Sequence, residues 1–234
     1  MTASLPGRLG LASRELVSIV GAGGKSTILF ALGRDLAAAG ARVILTTTTK
    51  VGADQPSEPI CWSADPAVVE DAFTPGLPVF VAVGRGPGRI VGPSPWAIDR
   101  LFAHTNAEYV VVEADGAGRM AIKAPADHEP VIPSTSTTVI VVTSIAAIGH
   151  PIFEVAHRPE RVAGLIGAQP EDLLTLEGAA AVLLHHEGGL KGIPKKARVV
   201  MVTTMAESAR EGLAVDLTRI LASHPKVDRA IILP

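Results

Sequence analysis

The chain has 234 residues, 47% of them hydrophobic and only 3% aromatic, and its formal charge is -2 from 21 basic and 23 acidic side chains. That length supports one sizeable core, and a core of Val, Ile, Leu and Ala fits a parallel sheet covered by helices better than an all-β sandwich. A near-neutral chain without a run of like charge argues against a nucleic-acid or anionic-membrane surface, so an anionic ligand needs a local site.

The opening MTASLPGRLGLASRE holds no apolar stretch long enough for a signal-peptide core and carries Arg8, Arg14 and Glu15, which points to a cytoplasmic protein. Residues 16–20 read as the first strand, and 25–39 as a helix with Ile28, Leu29, Leu32 and Leu36 on one face, ended by Gly40. A strand at 43–46, a helix at 66–73 and a strand at 78–83 follow, then the glycine-rich GRGPGRIVG. A helix at 95–104 leads to YVVVE at 109–113, the continuous apolar run of a doubly covered central strand. Residues 114–135 lack periodicity and are rich in charge and proline, as functional or disordered loops are.

The uncharged stretch 131–153 is broken by Pro133, Ser134, Thr135, Ser136 and Pro151, so it reads as a buried strand at 139–142 with its loop, not a membrane span. Helices at 158–166 and 170–186, then strand 198–202, helix 207–222 and strand 230–233, complete a three-layer α/β domain spanning 1–234, with a mostly parallel sheet and helices on both faces. A single cysteine, Cys61, allows no intrachain disulfide and reads as a small core residue near a strand end.

The chemistry concentrates in SIVGAGGKSTILF. A standard phosphate loop, G-x-x-x-x-G-K-[ST], would place its first glycine at Ile19, so this is a shortened G-x-x-G-K-S-T. Its context still suits phosphate. A strand end meets a helix start, Gly21, Ala22, Gly23 and Gly24 let the backbone approach oxygen atoms, and Thr27 lies in the first helical turn. Lys25 would lie along the terminal phosphates, and Ser26 would offer its hydroxyl to Mg²⁺.

A dinucleotide-binding turn, G-x-G-x-x-G, is the rival. Ser26 stands at its third glycine, and VILTTTTK lacks the acid expected after the second strand. The bland alternative is a glycine turn that only lets the helix pack closely.

A phosphate loop needs a carboxylate near the metal or its water, usually at a neighbouring strand end, and VVVEADGAG supplies Glu113 and Asp115. Both are candidates for catalysis and, with Ser26, for metal binding. Thr46 to Thr49 and Lys50 fall on the same sheet edge, where Thr48 and Lys50 are nucleotide candidates; the same residues also suit an ordinary strand end. Arg119, Lys123, Asp127, His128 and Glu129 crowd the segment after the acidic turn, and Arg85 and Arg89 lie in the glycine-rich stretch. Each invites an anionic second substrate or plain surface solvation. His150, His157, His185 and His186 show no metal-site spacing; adjacent histidines on a helix would face different ways.

With GAGGKST, TTTTK, VVVEADGAG and KAPADHEPVIP in this order, most of residues 17–135 resembles the YqeC-like family, described as selenium-dependent hydroxylase accessory proteins. The resemblance implies a P-loop NTPase-like nucleotide-binding fold and a role in maturing molybdenum-containing hydroxylases, with such an enzyme as client and selenium supply or insertion as the task. It implies Gly21, Gly23, Gly24, Lys25, Ser26 and Thr27 as nucleotide residues, with Glu113 and Asp115 as acidic partners. Where a guanine-reading Asn-Lys-x-Asp would follow the strand at 198–202, the chain has Thr203-Thr204-Met205-Ala206, which favours ATP over GTP.

The expectation is therefore an Mg²⁺-dependent nucleotide-binding protein, an NTP phosphohydrolase or NTP-dependent transferase, in which Lys25 and Mg²⁺ offset charge on the transferred phosphoryl group. A second small-molecule ligand would sit over TTTTK and residues 116–133. The alternatives are a non-catalytic carrier or chaperone switched by nucleotide and an NAD(P)-binding oxidoreductase.

Overall fold

The computed structural model describes residues 4–204 and 210–234. A short helix α1 (Leu5–Leu9), too brief to show periodicity in sequence, precedes β1 (Glu15–Gly21), whose seven residues are all buried. Helix α2 (Lys25–Ala38) returns along the sheet to β2 (Val43–Thr47). Next come β3 (Lys50–Gly52), β4 (Ile60–Cys61) and α3 (Pro66–Asp71), the last capped by Asp65, which accepts from the Ala67 and Val68 amides. The strand expected at 78–83 is shorter, β5 (Val79–Val81), because Val83 already donates to the Val91 carbonyl of the next unit. That unit is a hairpin, β6 (Gly84–Gly86) and β7 (Arg89–Val91), turned at Pro87-Gly88 and joined by β3 into a three-stranded antiparallel sheet.

Helix α4 (Pro95–His104) and β8 (Tyr109–Glu113) lie where periodicity put them, with Ser94 accepting from the Ala97 amide as cap. The segment expected as a long functional or disordered loop is ordered by hydrogen bonds to its neighbours. It holds β9 (Ile122–Lys123), Ala121 donates to the Val155 carbonyl, and Val131 donates to the Ala114 carbonyl. Strand β10 (Thr138–Ser144) is followed by α5 (Ile152–Val155), β11 (Ala156–His157), which pairs with β9, and α6 (Pro159–Ile166).

The helix expected over 170–186 is only α7 (Leu176–Leu184). Residues 169–174 instead pair with the 149–153 segment: Ile152 donates to the Asp172 carbonyl and Leu174 to the His150 carbonyl, and Thr175 then caps α7 through the Gly178 amide. Strand β12 (Arg198–Thr204), α8 (Glu211–Ala222) and β13 (Arg229–Leu233) close the chain; positions 207–209 of the expected last helix lie outside the described residues.

The main sheet is parallel throughout, in the order β13-β12-β10-β1-β8-β2-β5-β4. One face packs on α1 and α2, where Val17, Ile19, Leu45 and Val142 meet Leu9, Leu29 and Leu32. The other is covered in two halves. Val69, Ile98 and Leu101 of α3 and α4 cover Leu16, Ile44 and Val110, while α6, α7 and α8 cover Val139, Val141 and Met201. Burial on both faces explains why these strands read as unbroken apolar runs. Cys61 is buried against the α3 and α4 side.

The chain runs from β1 out to β2 and β5, returns to insert β8 beside β1, then crosses to β10 on the other flank. That reversal is the place where parallel sheets open a crevice at their carboxyl ends. Gly21 and Glu113 stand at its rim. Among the described residues no helix is long and apolar enough to cross a membrane.

Candidate functional site

The turn from β1 into α2 is shaped by its neighbours. Gly21, Gly23 and Gly24 have φ of 95°, 79° and 119°, a region that side chains with a Cβ rarely enter. Space is the stronger constraint at two of them: a Cβ on Gly21 would lie 2.2 Å from the Val142 carbonyl oxygen, and one on Gly23 would lie 2.7 Å from the Ser144 nitrogen. Gly21 therefore lets β1 close on β10, so the packing explanation of this glycine holds beside any phosphate role.

The amides divide accordingly. Gly21 donates to Asp115 Oδ2 at 3.0 Å and Ala22 to the Val142 carbonyl at 2.9 Å. The amides of Gly23, Gly24, Lys25, Ser26 and Thr27 have no partner among the described residues, and no side chain caps α2. Unsatisfied donors at a helix start, with about half a positive charge from the dipole, favour an anion.

Glu113, last residue of β8, faces this loop, and Ser26 Oγ donates to its Oε2 at 2.8 Å. Lys25 turns inward: Nζ donates to the Gly21 carbonyl at 2.7 Å and lies 3.2 Å from Asp115 Oδ1 and 3.8 Å from Glu113 Oε1. Asp115 also holds Lys123, at 3.0 Å. Lys123 donates to the Gly116 carbonyl at 2.6 Å and to Glu129 Oε2 at 2.8 Å, and Arg158 donates to that same oxygen at 2.8 Å. The result is an unbroken alternation of charge, Glu113, Lys25, Asp115, Lys123, Glu129 and Arg158, three acids against three bases.

Lys123 and Glu129, which read in sequence as candidate surface charges, are thus a buried pair. Their neighbours Asp127 and His128 are exposed, and Asp127 pairs with Arg161 at 2.8 Å.

Burial pushes the Glu113 carboxyl above its usual range, against the pull of Lys25 and the Ser26 hydrogen bond. Burial pushes Glu129 the same way, but hydrogen bonds from Lys123 and Arg158 outweigh it and hold the group from its ordinary 4.5 down to about 2. A depressed carboxylate contributes stability that is complete above its unfolded pKa and lost as pH falls through its folded one. On the order of 3 kcal/mol should therefore disappear between pH 4.5 and 2 on account of Glu129. Glu113 works with opposite sign, losing stability as pH rises above its unfolded value. Urea denaturation across pH 2–7 checks this: Glu129→Gln should flatten the acid limb, and an unchanged slope would assign that limb to other groups.

The threonine run serves Glu113 from behind. Thr47 Oγ1 donates to the Glu113 carbonyl at 2.8 Å and the Thr48 amide donates to it at 3.1 Å, while Thr46 Oγ1 bonds the Val81 carbonyl at 2.7 Å. Thr48 Oγ1 is buried without a partner among the described residues.

A cavity of about 720 Å³ opens over these groups. Lys25, Ser26, Thr27 and Glu113 form its floor, Lys50 to Gly52 and Arg89 one wall, and the loop from Gly116 to Met120 the other. Of the residues singled out in sequence, the glycines 23 and 24 with Lys25, Ser26, Thr27, Lys50, Arg89, Glu113 and Arg119 meet here, whereas Gly21, Ala22, Thr48 and Asp115 do not line the cavity. Sequence reasoning did not connect Arg158, whose signal was absent because it lies 29 positions beyond Glu129.

The histidines are dispersed. His185 and His186 lie just past α7 rather than on it, so their rings stack at 4.5 Å instead of facing apart. Among the described residues no three His, Cys, Asp or Glu side chains are grouped to hold a metal ion.

Fold and site together define an α/β protein whose glycine turn, at the carboxyl edge of a parallel sheet, faces an acid from the adjoining strand. By sequence the chain belongs to the YqeC family: the family profile, described as YqeC protein, matches residues 17–160. That span contains every member of the buried ionic chain. "Uncharacterized protein YqeC" of Escherichia coli (strain K12) is 35% identical over 213 residues, 89% of this chain and 83% of that protein.

Proposed function

We propose that this protein binds a nucleotide with Mg²⁺, its phosphates on the amides of residues 23–27, and acts as an NTPase or NTP-dependent transferase in maturing molybdenum- or selenium-containing hydroxylases. The observation that carries the reading is the pair Ser26 Oγ and Glu113 Oε2, 2.8 Å apart beside five amides that have no partner among the described residues. Two adjacent ligands of an octahedral Mg²⁺, each about 2.0–2.1 Å from the metal, lie roughly 2.9 Å from one another. Ser26 and Glu113 therefore fit as its protein ligands, and phosphate and water oxygens would complete the set, as is usual for this ion. Asp115 fits less well, because the Gly21 amide and two lysines already engage it. Bound there, Mg²⁺ would neutralise phosphate charge, and Lys25 would supply a second positive centre once drawn from Asp115.

Strand order also supports this reading over a dinucleotide turn. Dinucleotide-binding halves pair the first strand directly with the second, whereas here β8 separates β1 from β2 and brings Glu113 to the loop. ATP is favoured over GTP on the sequence after β12, although Met205 and Ala206 lie outside the described residues. The accessory role rests on the family resemblance. The ionic chain supports a second reading, a nucleotide-switched carrier or chaperone, because withdrawing Lys25 would unbalance Asp115 and, through Lys123, Glu129. Turnover with and without a hydroxylase client separates the two.

Thermal unfolding with ATP, GTP and NAD(P), each with and without Mg²⁺, tests nucleotide binding. MgATP at a hundredfold excess over its dissociation constant should stabilise by about 2.7 kcal/mol, and Ser26→Ala should remove most of the Mg²⁺-dependent part. A shift from NAD(P) alone that survives Lys25→Ala overturns the proposal.

A further inference from the structure

We infer that the outer wall of the same cavity is a second anion site, built by Lys50, Arg89 and Arg119 for a second ligand bearing a phosphate or pyrophosphate group. The inference rests on the nucleotide reading of the floor and names the chemical class of its co-substrate.

The small antiparallel sheet carries most of the argument. Lys50 lies opposite Val91, and Gly52 opposite Arg89, while Gly84 and Gly86 of the third strand pair with Val91 and Arg89. Because directly paired residues share a face, one face presents Lys50, Arg89, Val91 and three glycines. The other carries Val51 and Ile90, both buried, and Arg85, which stacks on Trp62 at 4.1 Å. One face is thus pinned to the body of the protein and the other lies open.

The glycines on the open face are not demanded by packing at Gly86, where a Cβ would meet nothing within 4 Å, nor at Gly84, where it would meet only Val91 at 3.7 Å. They leave the face open on the side of Arg89 away from Lys50, whereas at Gly52, between the two cations, a Cβ would meet Asp54 Oδ1 at 2.6 Å. Lys50 and Arg89 are diagonal neighbours, about 7–8 Å apart at their Cα atoms, a span that a phosphate group can bridge. Arg119 enters from the facing loop, in a left-handed conformation at φ 66°.

Charge accounting points the same way. The side chains of Lys50, Arg89 and Arg119 make no hydrogen bond or ion pair among the described residues, whereas Arg34, Arg42, Arg158 and Arg161 each hold a carboxylate. The cavity wall carries four cations against two carboxylates, Asp54 and Glu113, in a chain of net charge -2. A guanidinium matches a phosphate by paired donors, so Arg89 and Arg119 would orient the group as well as attract it. The amides of residues 23–27, without a partner among the described residues, lie on the floor below, so phosphates held there leave this wall for another molecule.

The test is calorimetric titration of inorganic pyrophosphate into the full-length chain saturated with Mg²⁺ and a non-hydrolysable ATP analogue. Pyrophosphate should bind without displacing the analogue, and Arg89→Ala and Arg119→Ala should each weaken it at least tenfold, with melting temperatures unchanged because both side chains are exposed. Displacement of the analogue, or equal binding by the variants, overturns the inference. If no nucleotide binds, the same titration on free protein remains decisive. Binding lost in Arg89→Ala but kept in Lys25→Ala, or in Ser26→Ala should the lysine variant not fold, upholds the second site while the nucleotide reading fails; the reverse pattern overturns it.

Discussion

Replacing Asp115 with alanine should lower the unfolding free energy by about 3–5 kcal/mol, the usual cost of leaving a buried charge uncompensated. The carboxylate is 1% exposed and engages Lys25 at 3.2 Å, Lys123 at 3.0 Å and the Gly21 amide at 3.0 Å. Its removal leaves two buried ammonium groups with one fewer counter-charge between them, and orphans a backbone donor at the end of β1. Domains are stable by about 5–15 kcal/mol, so this loss is a large fraction of the whole. Urea denaturation at pH 7 measures it. Asp115→Ala combined with Lys123→Met should recover part of the loss, since the double variant removes charges of both signs and leaves Lys25 with Glu113. A single-variant loss below about 1 kcal/mol would mean that water reaches these lysines and that the chain of charges is not closed.

Gly21→Ala should cost about 2–5 kcal/mol, combining overpacking with left-handed strain. The added carbon would lie 2.2 Å from the Val142 carbonyl oxygen and 3.0 Å from the Val142 nitrogen, so the centre of the sheet, where β1 meets β10, must open. Gly40→Ala is the matching control. Its φ is also 95°, but a Cβ there meets nothing within 4 Å, so only the conformational cost of about 1–2 kcal/mol remains. A Gly21→Ala midpoint no lower than that of Gly40→Ala would show that the strands yield without penalty. The comparison separates the packing cost at the loop's first glycine from the conformational cost alone.

The elements that periodicity located are those whose partners lie along the same segment. The face of α2 and the apolar runs of β1, β8 and β10 could be read because a strand buried on both sides, or a helix buried on one, records that fact in consecutive residues. The hairpin in GRGPGRIVG was seen only as a glycine-rich stretch, since its strands are three residues each and β7 pairs with β3, more than thirty positions earlier. The start of α7 was misplaced because residues 169–174 find backbone partners at 149–153, a competition invisible to helical spacing.

The sequence by itself determined a parallel α/β sheet and a glycine turn opening a helix that begins Lys-Ser-Thr. It also determined an acid closing a central strand, because each of these is a local pattern of size, polarity and spacing. The tertiary structure alone decided which acid does what: Glu113 faces Ser26 over the cavity, while Asp115, two residues on, turns inward to bind two lysines. Strict alternation would put both acids on one side, but β8 ends at Glu113 and Asp115 lies in the bend beyond it, so only the strands and loops packed around that bend supply the counter-charges that fix their roles.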